Sequence, residues 1–246
     1  MMGIAERKER EKNLRRQMIL SAAESVFSKK GLKAATLDEV AETAELSKGT
    51  IYIYFKSKED MFFSLLTNGL HLLYETLNNP ELEELDAREA IVKMGELYYR
   101  FSEQQPHYFM LFNLTERVDS SAEISSAVFA ELQKVNEKIF DLVARYIKRG
   151  VDEGVFRSDI DPKEAAILLW ITSTGVINLK ERAACMHERE CGVKNSFMMS
   201  IDFDQFYKRA SDYMLDMISN GKRGQSDAIR KRNGKDGNSR KAKIKK

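Results

Sequence analysis

The chain has 246 residues, of which 43% are hydrophobic, and it carries 40 Lys and Arg against 38 Asp and Glu. This length and apolar content suffice for a sizeable core in one large or two modest domains. No run approaches the ~18 apolar residues of a membrane span, and the charged N-terminus is unlike a secretion signal. With only three prolines, the composition predicts a nearly all-α, cytoplasmic protein.

The charges are unevenly distributed along the chain. Residues 222–246 contain eleven basic and two acidic side chains, residues 1–60 contain twelve and ten, and residues 61–221 contain seventeen and twenty-six. Because an acidic body is repelled by phosphates, contact with DNA is expected only near the two ends. The tail from residue 221 lacks apolar periodicity and is predicted to be disordered. It either solubilises the protein or adds non-specific phosphate contacts.

Three helix starts follow one another closely after residue 35. Thr36 with Glu39 forms the reciprocal pattern of a capping box, Ser47 is a natural N-cap, and Ser57 with Asp60 forms a second box. Two short helices joined by a tight turn, with a third helix directly behind them, are typical of a helix-turn-helix that reads DNA.

The second of these short helices is the predicted recognition helix. Capping alone would explain Thr36 and Ser47, and tyrosines in a helix often belong to a core. Here Ile51, Ile53 and Phe55 are available to fill the core instead, which favours DNA contact by the remaining polar and aromatic residues. The predicted DNA-binding residues are Thr36, Ser47, Lys48, Gly49, Thr50, Tyr52, Tyr54 and Lys58.

The segment GTIYIYFKSKEDM, preceded by TLDEVAETAELS, resembles the DNA-binding domain of the tetracycline-repressor (TetR/AcrR) family over about residues 12–66. The resemblance implies an all-helical second domain for ligand binding and dimerisation, with about nine helices in all. Relatives usually carry glycine where this chain has Glu45, which predicts a positive φ and about 1 kcal/mol of strain. Lys56 replaces a common proline and adds positive charge.

We therefore predict a helix-turn-helix domain with a basic N-terminal arm over 1–56, a helical domain over 57–220 and a tail over 221–246. Periodicity and caps place the remaining helices as follows: helix one over about 10–29 with Gly31 as its stop, helix four over about 58–78, helix five from Asp86 to about 104, a short helix after Pro106, helix seven from Ser120 to Gly150, helix eight from Asp161 to about 185, and helix nine from Asp202.

Helices eight and nine are the predicted dimer interface. Helix eight is apolar nearly all round from Ala165 to Ile171, which indicates burial on two sides. The resemblance implies that this pair forms a four-helix bundle between two subunits, the alternative being a monomer with a thick core. The predicted interface residues are Ala166, Trp170, Phe206, Ala210, Tyr213, Met214 and Met217.

The apolar residues of helices five to eight predict an effector pocket, the alternative being simple core, which an aromatic stripe at helical spacing more often forms. Apolar walls with a few hydroxyl groups suit a small hydrophobic or aromatic effector. The predicted lining residues are Met94, Tyr98, Phe101, Tyr108, Phe109, Phe112, Leu132, Trp170 and Thr174.

Enzymatic and metal functions have no apparatus in the sequence. Cys185, His187 and Cys191 match no standard zinc spacing, and two unpaired cysteines in a linker are the simpler interpretation. No phosphate-binding glycine loop or nucleophile motif is present. No enzyme activity, cofactor or metal is therefore expected.

Two functions remain for the chain as a whole. The first is a dimeric repressor that leaves a palindromic double-stranded DNA operator when a small hydrophobic effector binds. The second is an architectural or adaptor protein of the same fold, whose second domain binds a protein partner. A closed apolar cavity would favour the first function, and a filled core with exposed apolar surface would favour the second.

Overall fold

The computed structural model describes residues 3–114, 124–188 and 200–221, with the backbone alone for Leu114 and residues 185–188. Within these ranges the fold is all-α, as predicted, with a short 3-10 helix at Pro80–Glu83 and a single isolated bridge between Phe156 and Ser219. The helices are α1 Ile4–Ala34, α2 Leu37–Thr43, α3 Lys48–Tyr54, α4 Lys58–Leu77, α5 Ala87–Gln104, α6 Pro106–Leu114, α7 Ser126–Asp152, α8 Pro162–Glu188 and α9 Phe203–Ile218.

The chain divides into two compact units, each built from two separate stretches of the sequence. The first comprises residues 1–79 and 96–141, and the second comprises residues 80–95 and 142–246. The unit boundaries therefore fall within α5 and α7, and each of these helices has one part in the first unit and the other part in the second. The limits 1–56 and 57–220 drawn from the sequence remain a prediction.

Helix α1 is longer than its apolar pattern predicts. It begins at Ile4 instead of about residue 10, and the side chains up to Arg15 are all exposed. From Ile19 onward one face is buried. Gly31 interrupts the helix with a φ of 74°, a left-handed conformation that glycine adopts without a Cβ clash. The main helical stretch therefore stops at the predicted residue, and a short helical continuation reaches Ala34.

The three consecutive helix starts are confirmed. Thr36 accepts a hydrogen bond from the Glu39 amide while the Glu39 carboxylate accepts from the Thr36 amide, which satisfies two donors at the start of α2. Ser47 caps α3 by accepting from the Thr50 amide, and Ser57 caps α4 by accepting from the Asp60 amide. Short helices depend on such caps, because few of their backbone groups have intrahelical partners.

The core of the first unit is built around α1 and α4. Its largest fully buried side chains include Phe27, Ile51, Phe55 and Phe62, so the recognition helix is anchored by one residue of its own and by the residue that follows it. Tyr108 of α6 packs against α4 at Gly69, where a Cβ would lie 2.7 Å from the tyrosine ring. Glycine at this position therefore allows the two helices to approach closely.

Two other helix limits differ from the prediction. Helix α7 begins at Ser126, directly after Ser125, whose hydroxyl accepts from the Val128 amide at 3.4 Å. Ser120 and Glu123, the expected start, lie outside the described residues. Helix α8 continues to Glu188, so Cys185 lies in the helix and not in a linker.

In the second unit α8 packs against α9. Polar contacts join α9 and the residue after it to the beginning of α5, which belongs to the same unit. The Tyr207 hydroxyl donates to the Gly95 carbonyl at 2.9 Å, and the Arg88 guanidinium donates to Asp216 at 2.7 Å and to Ser219 at 3.0 Å. Across the described residues, no helix is both long enough and apolar enough to cross a membrane.

Candidate nucleic-acid interface

The turn between α2 and α3 has the strained geometry that the sequence predicts. Glu45 adopts a φ of 55°, and it is the one residue other than glycine with a positive φ among those described. The Leu46 amide donates to the Ala41 carbonyl at 2.9 Å, which closes the turn over the end of α2. The backbone thus keeps its tight turn at a cost of about 1 kcal/mol at Glu45.

The exposed face of α3 is formed by Lys48, Gly49, Tyr52 and Ile53, which recur at helical spacing. Ile51 on the opposite side is completely buried. We call these four residues the reading face. An α-helix with its side chains is about 10–12 Å across, so α3, with seven residues, can enter a major groove about 12 Å wide.

Ile53 corrects one expectation from the sequence. It was assigned to the core together with Ile51 and Phe55, but its side chain is 77% exposed. The helix has only one buried side, and Ile53 is two residues beyond Ile51, on a different side of the helix. An exposed aliphatic side chain beside Gly49 and Tyr52 is suited to contact a thymine methyl group, which the sequence pattern did not suggest.

The other predicted DNA-binding residues occupy several positions. Thr36 and Ser47 are exposed caps, and the hydroxyls of Ser47 and Thr50 share a hydrogen bond of 2.8 Å. Thr50 is half-buried beside this cap. Tyr54 is also half-buried, but it packs against the core of the first unit. Tyr52, at 53% exposure, is thus the more accessible of the two tyrosines.

Both lysines predicted to bind DNA have partners within the protein. The Lys48 ammonium donates to the Asp38 carboxylate at 2.9 Å, and this hydrogen bond raises the pKa of Lys48. The Lys58 ammonium donates to the carbonyls of Lys33 and Ala35, each at 3.1 Å, so it ties the start of α4 to the end of α1 and the residue that follows it. Two of its three N–H bonds are used in this way.

A buried polar group supports the far end of α3. Asp60 is 3% exposed, and its carboxylate accepts from the Lys56 amide at 3.1 Å, immediately after the recognition helix. The Arg16 guanidinium lies 4.8 Å from the centre of the Phe55 ring and donates to Ser64 at 2.9 Å. Burial lowers the pKa of Arg16, while the charge of Asp60 opposes that shift.

The predicted effector residues of the first unit form a packed aromatic cluster. Tyr98 and Phe109 have ring centres 5.9 Å apart, Phe101 and Phe112 stack at 6.1 Å, and Phe109 meets Phe112 edge to face at 6.3 Å. Tyr98, Phe101 and Phe109 are buried. These distances are those of direct ring contact, so a ligand would have to separate the rings. Tyr108 and Leu132, both half-buried, pack against the core of the same unit.

In the second unit the remaining predicted residues are divided between core and surface. Met94 and Ala166 are buried, and Thr174 is half-buried. Trp170 is 46% exposed on α8. Along α9, Phe206, Ala210 and Met214 are half-buried and Tyr213 and Met217 are exposed.

A set of exposed apolar side chains lies on α8 and α9. Its members are large side chains that expose between 41% and 67% of their surface: Ile167, Leu168, Trp170, Ile171, Tyr213 and Met217. We call this set the α8–α9 face. Exposed apolar side chains that together form one patch mark a protein or ligand interaction site.

No group of three or more His, Cys, Asp or Glu side chains in the described ranges is placed to hold a metal ion. The side chains of Cys185 and His187, and the whole of Cys191, lie outside what the structure describes.

Comparison with known families gives two matches that follow the two parts of the chain. Residues 19–65 match the model for bacterial regulatory proteins of the tetR family. Residues 88–190 match a tetracyclin repressor-like C-terminal domain. The first match contains the whole reading face and its supporting residue Asp60.

Relatives with the same organisation are transcriptional regulators. The HTH-type regulator YhgD of Bacillus subtilis is 29% identical over 64% of this chain and 78% of its own. The HTH-type transcriptional repressor KstR2 of Rhodococcus jostii is 26% identical over 61% and 72%. Among solved structures, the regulator FadR of Bacillus subtilis in complex with stearoyl-CoA shares the fold, with a TM-score of 0.62 at 17% identity, covering 82% of this chain and 98% of that one.

Proposed function

Because the chain belongs to the TetR family of DNA-binding transcriptional regulators, we propose that it acts as a homodimeric repressor of a palindromic operator, released by a small hydrophobic effector. The observation that carries this proposal is the reading face, an exposed helix surface with an aromatic, an aliphatic and a cationic side chain around Gly49. Such a surface offers hydrogen bonds and methyl contacts to base edges.

Self-association is supported by the α8–α9 face. Six large apolar side chains on two packed helices are costly to leave in water, and a two-fold partner would cover them with the same residues. A dimer also brings two copies of α3 to one duplex, which a single helix of seven residues needs for specificity. Ala166, one of the predicted interface residues, is buried within its own unit.

The aromatic cluster of α5 and α6 is the proposed effector site. Its rings are apolar, buried and close to Tyr108, which packs on α4 at Gly69. An effector that separates the rings would displace Tyr108 from Gly69 of α4. Because α4 follows the recognition helix in sequence after three residues, this displacement would reach α3. Effector binding would thereby change the spacing of the two α3 helices in the dimer and weaken its fit to the operator.

Selection of bound fragments from random DNA duplexes tests the operator proposal. We expect a two-fold symmetric consensus whose half-sites are separated by about one helical turn or a multiple of it. Recovery of unrelated sequences with equal affinity would contradict specific recognition, and a consensus without symmetry would contradict the dimer.

Thermal shift with stearoyl-CoA, decane and naphthalene as probes tests the effector proposal. A probe at a hundred times its dissociation constant stabilises the folded protein by about 2.7 kcal/mol, and the same probe must weaken operator binding by a matching factor. The control is Phe112→Ala, which shortens the stacked wall of the cluster. A probe that stabilises the protein without changing operator affinity is not the effector.

The adaptor function remains as a second candidate, because the rings of the cluster are in direct contact and large apolar residues are exposed elsewhere. It would be favoured if apolar probes fail to bind while the α8–α9 face recruits a different protein in place of a second copy. Operator binding is expected under both functions, so the thermal-shift series is the experiment that separates them.

A further inference from the structure

Asp60 contacts two parts of the first unit that are distant in sequence. One carboxylate oxygen accepts from the Lys56 amide at 3.1 Å, and the other accepts from the Ser125 amide at 3.0 Å. Lys56 follows the end of α3, and Ser125 precedes the start of α7. One buried side chain therefore joins the recognition helix to the first turn of a helix more than sixty residues away.

This carboxylate is held firmly in place from its own backbone. The Asp60 amide donates to the Ser57 cap at 3.0 Å, and the Asp60 carbonyl accepts from the Ser64 hydroxyl at 2.8 Å. Ser64 in turn accepts from Arg16, whose guanidinium covers Phe55. Because the carboxylate is buried, each amide that it accepts from would lack a partner if the carboxylate moved away.

Helix α7 continues well beyond this contact. It is 27 residues long, about 40 Å, and residues 126–141 belong to the first unit while residues 142–152 belong to the second. Within the first unit α7 makes two further polar contacts to α4, between Glu131 and His71 at 3.1 Å and between Lys138 and the Tyr74 ring at 5.7 Å. A displacement at its first turn would thus act on residues 126–141, the part of α7 that belongs to the same unit.

We propose that Asp60 is a positioning residue that couples the recognition helix to α7, so that operator binding at α3 is transmitted to the start of α7 through the Ser125 hydrogen bond. The proposal rests on the proposed function, because it requires that α3 binds an operator. It assigns Asp60 a role in communication in addition to its role in supporting the turn before α4.

The test is hydrogen–deuterium exchange of the full chain with and without the selected operator duplex. In the wild type, the duplex should slow exchange in α3 and in peptides covering residues 126–134, the latter by roughly fivefold or more, the lower end of ordinary coupling between sites. Ser125→Pro removes the N–H that bonds to Asp60, while Ser125→Ala keeps that N–H and loses the hydroxyl cap on Val128.

We expect both Ser125 variants to bind the duplex and to protect α3, with the protection at residues 126–134 lost in Ser125→Pro and kept in Ser125→Ala. Asp60→Asn provides a second variant, since one amide oxygen cannot accept both hydrogen bonds in the same geometry. It should also lose the response at α7. If Ser125→Pro fails to fold, the wild type and Asp60→Asn still decide the matter.

The outcomes separate this inference from the function on which it rests. Protection of α3 without protection of α7 in the wild type overturns the coupling and leaves the operator function intact. The same response at α7 in wild type, Ser125→Pro and Asp60→Asn also overturns it, as does an equal loss in both Ser125 variants. Absence of protection at α3 in the wild type contradicts the operator function itself.

Discussion

The reading face and the α8–α9 face are both exposed and partly apolar, yet they differ in composition and extent. The reading face places Tyr52 and Ile53 beside a lysine and a glycine on a helix of seven residues. The α8–α9 face carries six large apolar residues across two helices of 27 and 16 residues. Base edges require a few apolar contacts among hydrogen-bonding groups, whereas a protein partner requires continuous apolar area.

The largest effect is expected on dimer stability, from a substitution in the α8–α9 face. Ile171→Glu places a charge in the proposed subunit interface, and an unpaired buried charge costs about 3–5 kcal/mol. The dimer should weaken at least a hundredfold, and sedimentation velocity should show a monomer. Lys208→Glu, an exposed charge change on another side of α9, serves as the control. A dimer of unchanged affinity in Ile171→Glu would place the interface elsewhere.

A pair of tyrosine variants tests whether the two faces act separately. Tyr52→Ala should weaken operator binding by about 1–3 kcal/mol, the range for loss of a base contact, and leave self-association unchanged. Tyr213→Ala should weaken self-association and leave operator affinity unchanged when the protein is measured well above its dimer dissociation constant. Fluorescence anisotropy and sedimentation provide the two readouts. An equal effect of both variants in both assays would contradict separate roles.

The sequence predicted the helix starts around the reading face correctly because their determinants are local. The Thr36–Glu39 box, the Ser47 cap and the Ser57 cap lie within a few residues of the groups that they bond, so their pattern can be recognised without the fold. The failure at Ile53 has a related cause. The apolar residues Ile51 and Ile53 lie on different sides of α3, and the sequence of so short a helix does not show which side is buried. That side is set by the packing of α1 and α4.

The network around Asp60 could not have been found from the sequence. The Ser57–Asp60 box identified the helix start, but the bonds from Lys56 and Ser125 depend on how distant parts of the chain pack. The same holds for Lys58, whose bonds to the carbonyls of Lys33 and Ala35 join segments more than twenty residues apart. Periodicity gave the aromatic residues of α5 and α6 but not whether their rings touch.

A smaller effect is expected from the turn that orients the reading face. Glu45→Gly should raise the free energy of unfolding by up to about 1 kcal/mol, because glycine adopts the positive φ without strain. Glu42→Gly makes the same chemical change within α2 and should instead destabilise by about 1 kcal/mol. Urea unfolding measures both. Destabilisation at both positions would show that Glu45 carries no relievable strain.

The smallest effect concerns the charge beside the reading face. Asp38 holds the Lys48 ammonium at 2.9 Å, so a phosphate that binds Lys48 must compete with this carboxylate. Asp38→Asn should raise operator affinity a few-fold and make the dependence on salt steeper, by at most about one unit of slope, because one more cation is available to the phosphates. Glu42→Gln removes the same charge from the same helix and controls for general electrostatics. If the two variants raise affinity equally, release of Lys48 is not the cause, and the gain reflects only the lower negative charge near DNA.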